Sequence, residues 1–227
     1  MTLNVAVDIR TALGPVRDQG RRPTCLAFAT SDAHRYVQQH GAMLCVEWLY
    51  YHAIKLAGAG PRDGTTILNT RTVLNSMGQP EECDWPYSSN YPDEVLWQPP
   101  NPSTKILTSG SINCSGALDF VRTQLNNKVP IVMCAYLSST FRDRRSWTTI
   151  GDEVLLAPNI GEPIDISDGH AMVAVGYATF KGEALILLRN SWGSSWGSNG
   201  HAWVREDFLT QRQAGAFIIS KGVINVL

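Results

Sequence analysis

Gly14-Pro15-Val16-Arg17-Asp18-Gln19-Gly20-Arg21-Arg22-Pro23-Thr24-Cys25-Leu26-Ala27-Phe28-Ala29 joins a turn rich in glycine and proline to a run of helical period, with one cysteine at the junction. Thr24 is an N-cap candidate. Leu26, Phe28, Ala29, Ala33, Tyr36 and Val37 recur at helical spacing, which predicts a helix over 25–39 that Gly41 ends in a left-handed turn. A thiol in the first helical turn faces roughly half a positive charge from the aligned peptide dipoles, which favours thiolate. Two further dense patterns lie far downstream: Asp168-Gly169-His170 opening the apolar run to Tyr177, and Arg189-Asn190-Ser191-Trp192-Gly193-Ser194-Ser195-Trp196-Gly197. One thiol, one histidine and one asparagine in that order are the parts of a cysteine nucleophile with an imidazole base.

Composition bounds the alternatives. A chain of 227 residues, 44% apolar and 17% charged, can bury a core without metal or disulfide. Nineteen basic against twenty acidic residues give a net charge of −1, so no basic surplus points to nucleic acid. Arg142-Asp143-Arg144-Arg145 carries its own counter-charge and reads as a solvated loop. No apolar run has a membrane-spanning length, and the acid at position 8 with no basic n-region is unlike a signal peptide. The five cysteines (25, 45, 83, 114, 134) show no zinc-type Cys-x-x-Cys pair. Buried free thiols are expected at Cys45, Cys114 and Cys134. His34, His40, His52 and His201 read as solvated or packed. Neither a metal nor a cofactor is expected.

Helices are predicted over 46–57 (stopped by Gly58), 66–77 (closed by Gly78) and from Ser115 or Gly116 to Asn127. Thereafter the period changes. Strands are predicted over 129–137, 171–179, 184–189, 201–204 and 216–220. Residues 83–111 and 138–169 read as long loops, the second placed to overhang a binding groove. A helical first half and a β-rich second half imply an α+β fold of two lobes, approximately 11–113 and 114–227.

The motifs around Gln19, Cys25, His170 and Asn190, with the Asn-Ser-Trp-Gly-x-x-Trp-Gly-x-x-Gly string, resemble the papain family of cysteine peptidases over nearly the whole chain. The resemblance implies a papain-like two-lobe fold with an antiparallel β-barrel-like second lobe and the active site in a cleft between the lobes. It implies Cys25 as nucleophile, strongly acidic as in papain itself, and His170 as its base. Gln19, six residues before Cys25, becomes the oxyanion donor together with the Cys25 N–H. Asn190 becomes the orienter of His170, with Trp192 covering that hydrogen bond. Gly64 and Thr65 stand where the family has two glycines alongside the substrate. His170 and Asn190 follow Cys25 by 145 and 165 positions, slightly long for the family, an excess the 138–169 segment accommodates.

Several residues depart from the family pattern. Arg22 replaces the disulfide cysteine before the nucleophile, and the segment near Asp63-Gly64 lacks its partner; both point to a reducing compartment. Pro23 replaces a glycine, Leu26 an aromatic residue, and Gly169 the polar residue before the histidine. Only 18 residues precede Gln19, too few for the family's helical propeptide; the expectation is either an excised domain or control by a regulatory partner, a host polypeptide, a flexible loop or the long loop before His170. The reading is a cysteine endopeptidase acting on a protein or peptide substrate, cytoplasmic or delivered as an effector or toxin, without nucleic-acid or membrane partners. The alternatives are a deamidase or deconjugating enzyme using the same triad, and a non-catalytic binding module.

Overall fold

A computed structural model of the chain describes residues 2–114, 116–158 and 161–221. The described residues of 18–112 and 219–227 form one compact unit, and those of 1–17 and 113–218 form the other.

The first unit is built on three helices: α1 (Cys25–Gln38), α2 (Val46–Lys55) and α3 (Ile67–Ser76). Thr24 precedes α1, but its side chain caps nothing. Its hydroxyl is instead hydrogen-bonded to the Tyr87 hydroxyl at 2.9 Å. The helix ends earlier than Gly41, at Gln39, which takes the left-handed conformation and donates its N–H to the Tyr36 carbonyl. Thr66 caps α3 through its side chain, accepting from the Asn69 N–H. Phe28, Leu49, Tyr50, Tyr51, Ile54, Val73 and Trp97 make the core of this unit.

Residues 83–111 are largely irregular, as expected, yet firmly anchored. Trp97 inserts its ring among Tyr50, Tyr51 and Trp85. Asp84 closes the loop by accepting from the backbone and hydroxyl groups of both Ser103 and Thr104.

The second unit contains β1 (Asn4–Asp8), α4 (Leu118–Asn126), α5 (Glu206–Arg212) and most of the strands. Strand β2 (Gly110–Cys114) lies where the chain passes from one unit to the other. The remaining strands are β3 (Ile131–Tyr136), β4 (Thr148–Ile150), β5 (Glu153–Leu156), β6 (Gly169–Phe180), β7 (Glu183–Arg189), β8 (His201–Arg205) and β9 (Gln213–Ser220). The sheet runs β9-β3-β6-β7-β8-β5-β4, and β4 pairs with β5 alone. It is therefore an open sheet and not the barrel-like closure expected. All these pairs are antiparallel except β5 with β8, which is parallel.

β6 is the axis of the sheet. β7 covers one edge, while β3 takes residues 169–174 and β1 residues 176–179 of the other. Both faces are covered, so the run from His170 to Gly176 is continuously buried, as an apolar strand without alternation predicts. Glycine is required at 176 because a Cβ there would meet the Val7 carbonyl oxygen at 2.4 Å.

Other local expectations shift for physical reasons. The fourth helix starts at Leu118, because Gly116 is in a left-handed turn against the Gln213 amide; Ser115 lies outside the described residues. The 138–169 segment is not all loop: Gly151, with positive φ, turns β4 into β5, and residues 159–160 lie outside the described ones. No described cysteine is disulfide-bonded. Cys45 is buried as expected, but Cys114 and Cys134 are half-buried, on outward positions of their strands.

Each unit buries a neutral imidazole. His34 Nδ1 lies 2.9 Å from Gln79 Oε1, and His201 Nδ1 lies 2.8 Å from the Asn199 carbonyl. Burial pushes both down to about 4. In the unfolded chain these rings protonate near 6.5, so unfolding takes up protons between those values and stability is lost as pH falls from about 6.5 toward 4. Urea midpoints are expected to drop across that window. A flat profile there would contradict two neutral buried rings.

Candidate active site

In the helical unit, Cys25 is the first residue of α1 and is half-buried. Gln19 is 7% exposed, and its Nε2 donates to the Arg22 carbonyl at 2.9 Å. The turn between them is tied down from outside. Tyr87 Oη donates to the Gln19 carbonyl at 2.7 Å and Tyr91 Oη to the Arg21 carbonyl at 3.1 Å. Gly64 is exposed and Thr65 half-buried, on the loop that leads into α3. The Tyr50 hydroxyl holds that loop, 2.6 Å from the Asp63 carbonyl.

In the β unit, His170 is the second residue of β6 and Asn190 directly follows β7. The antiparallel register, with Val173 opposite Arg189, carries Asn190 back toward the start of β6. His170 Nε2 lies 2.7 Å from Asn190 Oδ1. The same oxygen accepts from the Ser191 N–H at 2.8 Å, so the ring nitrogen facing it carries the proton. That leaves Nδ1 as the basic nitrogen. Trp192 lies 4.7 Å from the His170 ring, centroid to centroid, and meets Trp196 edge-on at 5.9 Å. The glycines of this turn are needed for shape: Gly193, Gly197 and Gly200 all have positive φ, and a Cβ at 197 would meet the His201 carbonyl oxygen at 2.1 Å.

Burial pushes His170 down to about 4; the Asn190 hydrogen bond and Asp168 oppose this, while the Arg142 cation adds to it. Within its own unit the ring is neutral at pH 7. Only a nearby anion can hold a second proton on it.

The structure thus brings together His170, Asn190 and Trp192 in one unit, and Gln19 and Cys25 on one short turn of the other, with Gly64 and Thr65 on a second loop of that unit. Two paired charges in these units were not singled out in the sequence. Arg142 is exposed, as expected of that loop, but its partner lies outside the cluster: it makes a bidentate pair with Asp168 at 2.6 Å, with its guanidinium 5.5 Å from the Trp192 ring centre. Arg145 and Asp143 do form the local exposed pair expected of that cluster. Arg142, Arg145, Asp143, Glu162, Asp165 and Asp168 line a cavity of about 540 Å³ in the β unit. Glu47 is the other, a 2% exposed carboxylate in α2 that binds Arg22. The available signal was one acid inside the apolar run Val46-Glu47-Trp48-Leu49-Tyr50-Tyr51.

Comparison with known proteins identifies the family and the fold. Residues 3–216 match the family model described as papain family cysteine protease. Cysteine proteinase 3 of Dictyostelium discoideum is 25% identical over 205 residues, 88% of this chain and 57% of that protein. The oryzain gamma chain of Oryza sativa subsp. japonica is 27% identical over 193 residues, 83% of this chain and 51% of that one. The chain therefore spans little more than half the length of these relatives. Among solved structures, xylellain, a cysteine protease from Xylella fastidiosa, superposes with a TM-score of 0.74 at 22% identity, covering 95% of this chain and 85% of its own. The Carica candamarcensis cysteine protease CMS1MS2, solved in complex with E-64, gives 0.67 at 20% identity over 95% and 98%. With a family match over nearly the whole chain and the same fold in these structures, the protein belongs to the papain family of cysteine proteases.

Proposed function

We propose that this chain is a cysteine endopeptidase. The Cys25 thiolate attacks the substrate carbonyl carbon, and the negative charge that develops on the oxygen is met by Gln19 Nε2–H and the Cys25 N–H. His170, as imidazolium, gives its Nδ1 proton to the leaving amine. Neutral again, it takes a proton from water, and the hydroxide so formed attacks the acyl carbon; the acid is released, sulfur leaves as thiolate, and the thiolate–imidazolium pair is restored. Asn190 holds the ring in the required tautomer. The observation that carries this reading is the 2.7 Å bond from His170 Nε2–H to Asn190 Oδ1, which commits one ring nitrogen and leaves the other for proton transfer.

The resting state proposed is a Cys25 thiolate beside a His170 imidazolium. Burial disfavours the cation, so the thiolate is what keeps it charged, and the two protons titrate as one coupled system. The protein is proposed to act in a reducing compartment, on a protein or peptide substrate. Arg22 is 1% exposed and bound to Glu47, which turns its charge away from a substrate role.

Mass spectrometry of a protein mixture treated with the chain tests the reaction class. New backbone termini are expected. A gain of about one dalton on glutamine with no cuts would replace peptidase by deamidase, since the acyl chemistry is shared. Iodoacetamide labelling of Cys25 no faster than that of the other cysteines, and insensitive to His170→Ala, would leave a binding module.

A further inference from the structure

We infer that the buried Arg22–Glu47 ion pair is a positioning device for the oxyanion hole, replacing with charge and hydrogen bonds the covalent link that this site lacks. The inference rests on reading Cys25 as nucleophile and Gln19 as oxyanion donor.

Arg22 is the pivot of the turn. Its carbonyl accepts the Gln19 Nε2–H at 2.9 Å and the Thr24 N–H at 2.8 Å. Any movement of that carbonyl swings the Gln19 amide. The side chain on the same residue is the most firmly held part of the turn. Its NH1 and NH2 meet Glu47 Oε2 and Oε1 at 2.8 and 2.7 Å, a fork-to-fork geometry, and NH1 also donates to the Ser88 carbonyl at 2.7 Å. The two side chains are 0% and 3% exposed. Glu47 is held in turn by Trp97 Nε1, at 2.6 Å.

The guanidinium carbon also lies 5.3 Å from the Tyr50 ring centre, 5.0 Å from Tyr87 and 5.6 Å from Trp97. Tyr50 is the residue whose hydroxyl fixes the Asp63 carbonyl, and Tyr87 the one that fixes the Gln19 carbonyl. A single guanidinium thus ties the nucleophile turn, α2, the 61–65 loop and the 83–111 loop together. Hydrophobic residues of similar volume give comparable stability more simply than a buried ion pair does. What the pair adds is direction: three bonds from the two terminal nitrogens of one rigid plane fix the orientation of the residue that carries them.

The test uses Arg22→Met/Glu47→Gln, which removes both charges and keeps the volume, in wild-type and Gln19→Ala backgrounds. A urea transition and circular dichroism like wild type are expected. In the wild-type background kcat on a peptide substrate should fall about ten- to a hundredfold, the cost of misplacing a reacting group by about an ångström. KM should change by less than about threefold, because the lost interaction is made in the transition state. The Cys25 alkylation rate should stay within about twofold of wild type, since alkylation develops no oxyanion. In the Gln19→Ala background the same pair of changes should cost no more than about twofold, because the two routes share one effect. Arg22→Lys, which keeps the charge and loses the fork, should fall between, and it carries the same cycle if the double variant does not fold. An unchanged kcat, or an equal loss in both backgrounds, overturns the inference. Absence of fast, His170-dependent labelling of Cys25 in the unmodified protein overturns instead the reading it rests on.

Discussion

Cys25→Ala is expected to abolish peptide hydrolysis, lowering kcat by about 10⁴–10⁶-fold, the range that removal of a catalytic nucleophile produces in triad enzymes. The same substitution has a second, independent readout. His170 is enclosed, and burial with the Arg142 cation pushes it down to about 4. With the proposed thiolate partner removed, the Asn190 hydrogen bond and Asp168 offset burial only in part, and NMR titration of His170 should show a single step near that value. If Cys25 and His170 form the proposed pair, the imidazolium should persist to higher pH in the unmodified protein, and its loss should coincide with loss of Cys25 reactivity. His170→Ala should reduce activity comparably and slow alkylation of Cys25 at pH 6–7, because the thiolate loses its counter-ion. Retained hydrolysis in Cys25→Ala, or a His170 titration identical in both proteins, would remove the nucleophile from this account.

Arg22→Ala is expected to be the most damaging single change to stability, at about 3–5 kcal/mol, the usual cost of leaving one member of a buried ion pair uncompensated. Glu47 would keep the Trp97 indole N–H and lose both guanidinium bonds. Truncation also leaves a void among Tyr50, Tyr87 and Trp97. Urea denaturation at pH 7 measures the loss. The companion Arg22→Met/Glu47→Gln should recover most of it, since no charge is then buried alone. A deficit under about 1 kcal/mol in Arg22→Ala would mean that the pair is solvated and worth no more than a surface bridge.

The two substitutions separate roles that a disulfide would combine. A covalent link fixes a turn by connectivity and depends on an oxidising environment. The Arg22–Glu47 pair fixes the same turn by geometry and is indifferent to redox state, in keeping with the absence of disulfides among the described residues.

Helices α1 to α3, the long central strands and the glycine turn after Asn190 could be read from the residues, because each rests on periodicity and φ preferences that near neighbours impose. The α+β class follows from them. The choice of Gln19, Cys25, His170 and Asn190 as candidates likewise rested on dense local patterns. Other features depend on partners distant along the chain and were not legible. Thr24 should cap α1 by composition, but Tyr87, 63 positions away, takes its hydroxyl. β5 lies in an irregular stretch and is a strand because β8 pairs with it in parallel. Arg22 and Glu47, or Arg142 and Asp168, read separately as ordinary charges. Folding removes water from one pair and aligns the other beside Trp192. Local conformational preference is written into short segments, whereas the worth of a charge is set by what surrounds it after the chain has closed.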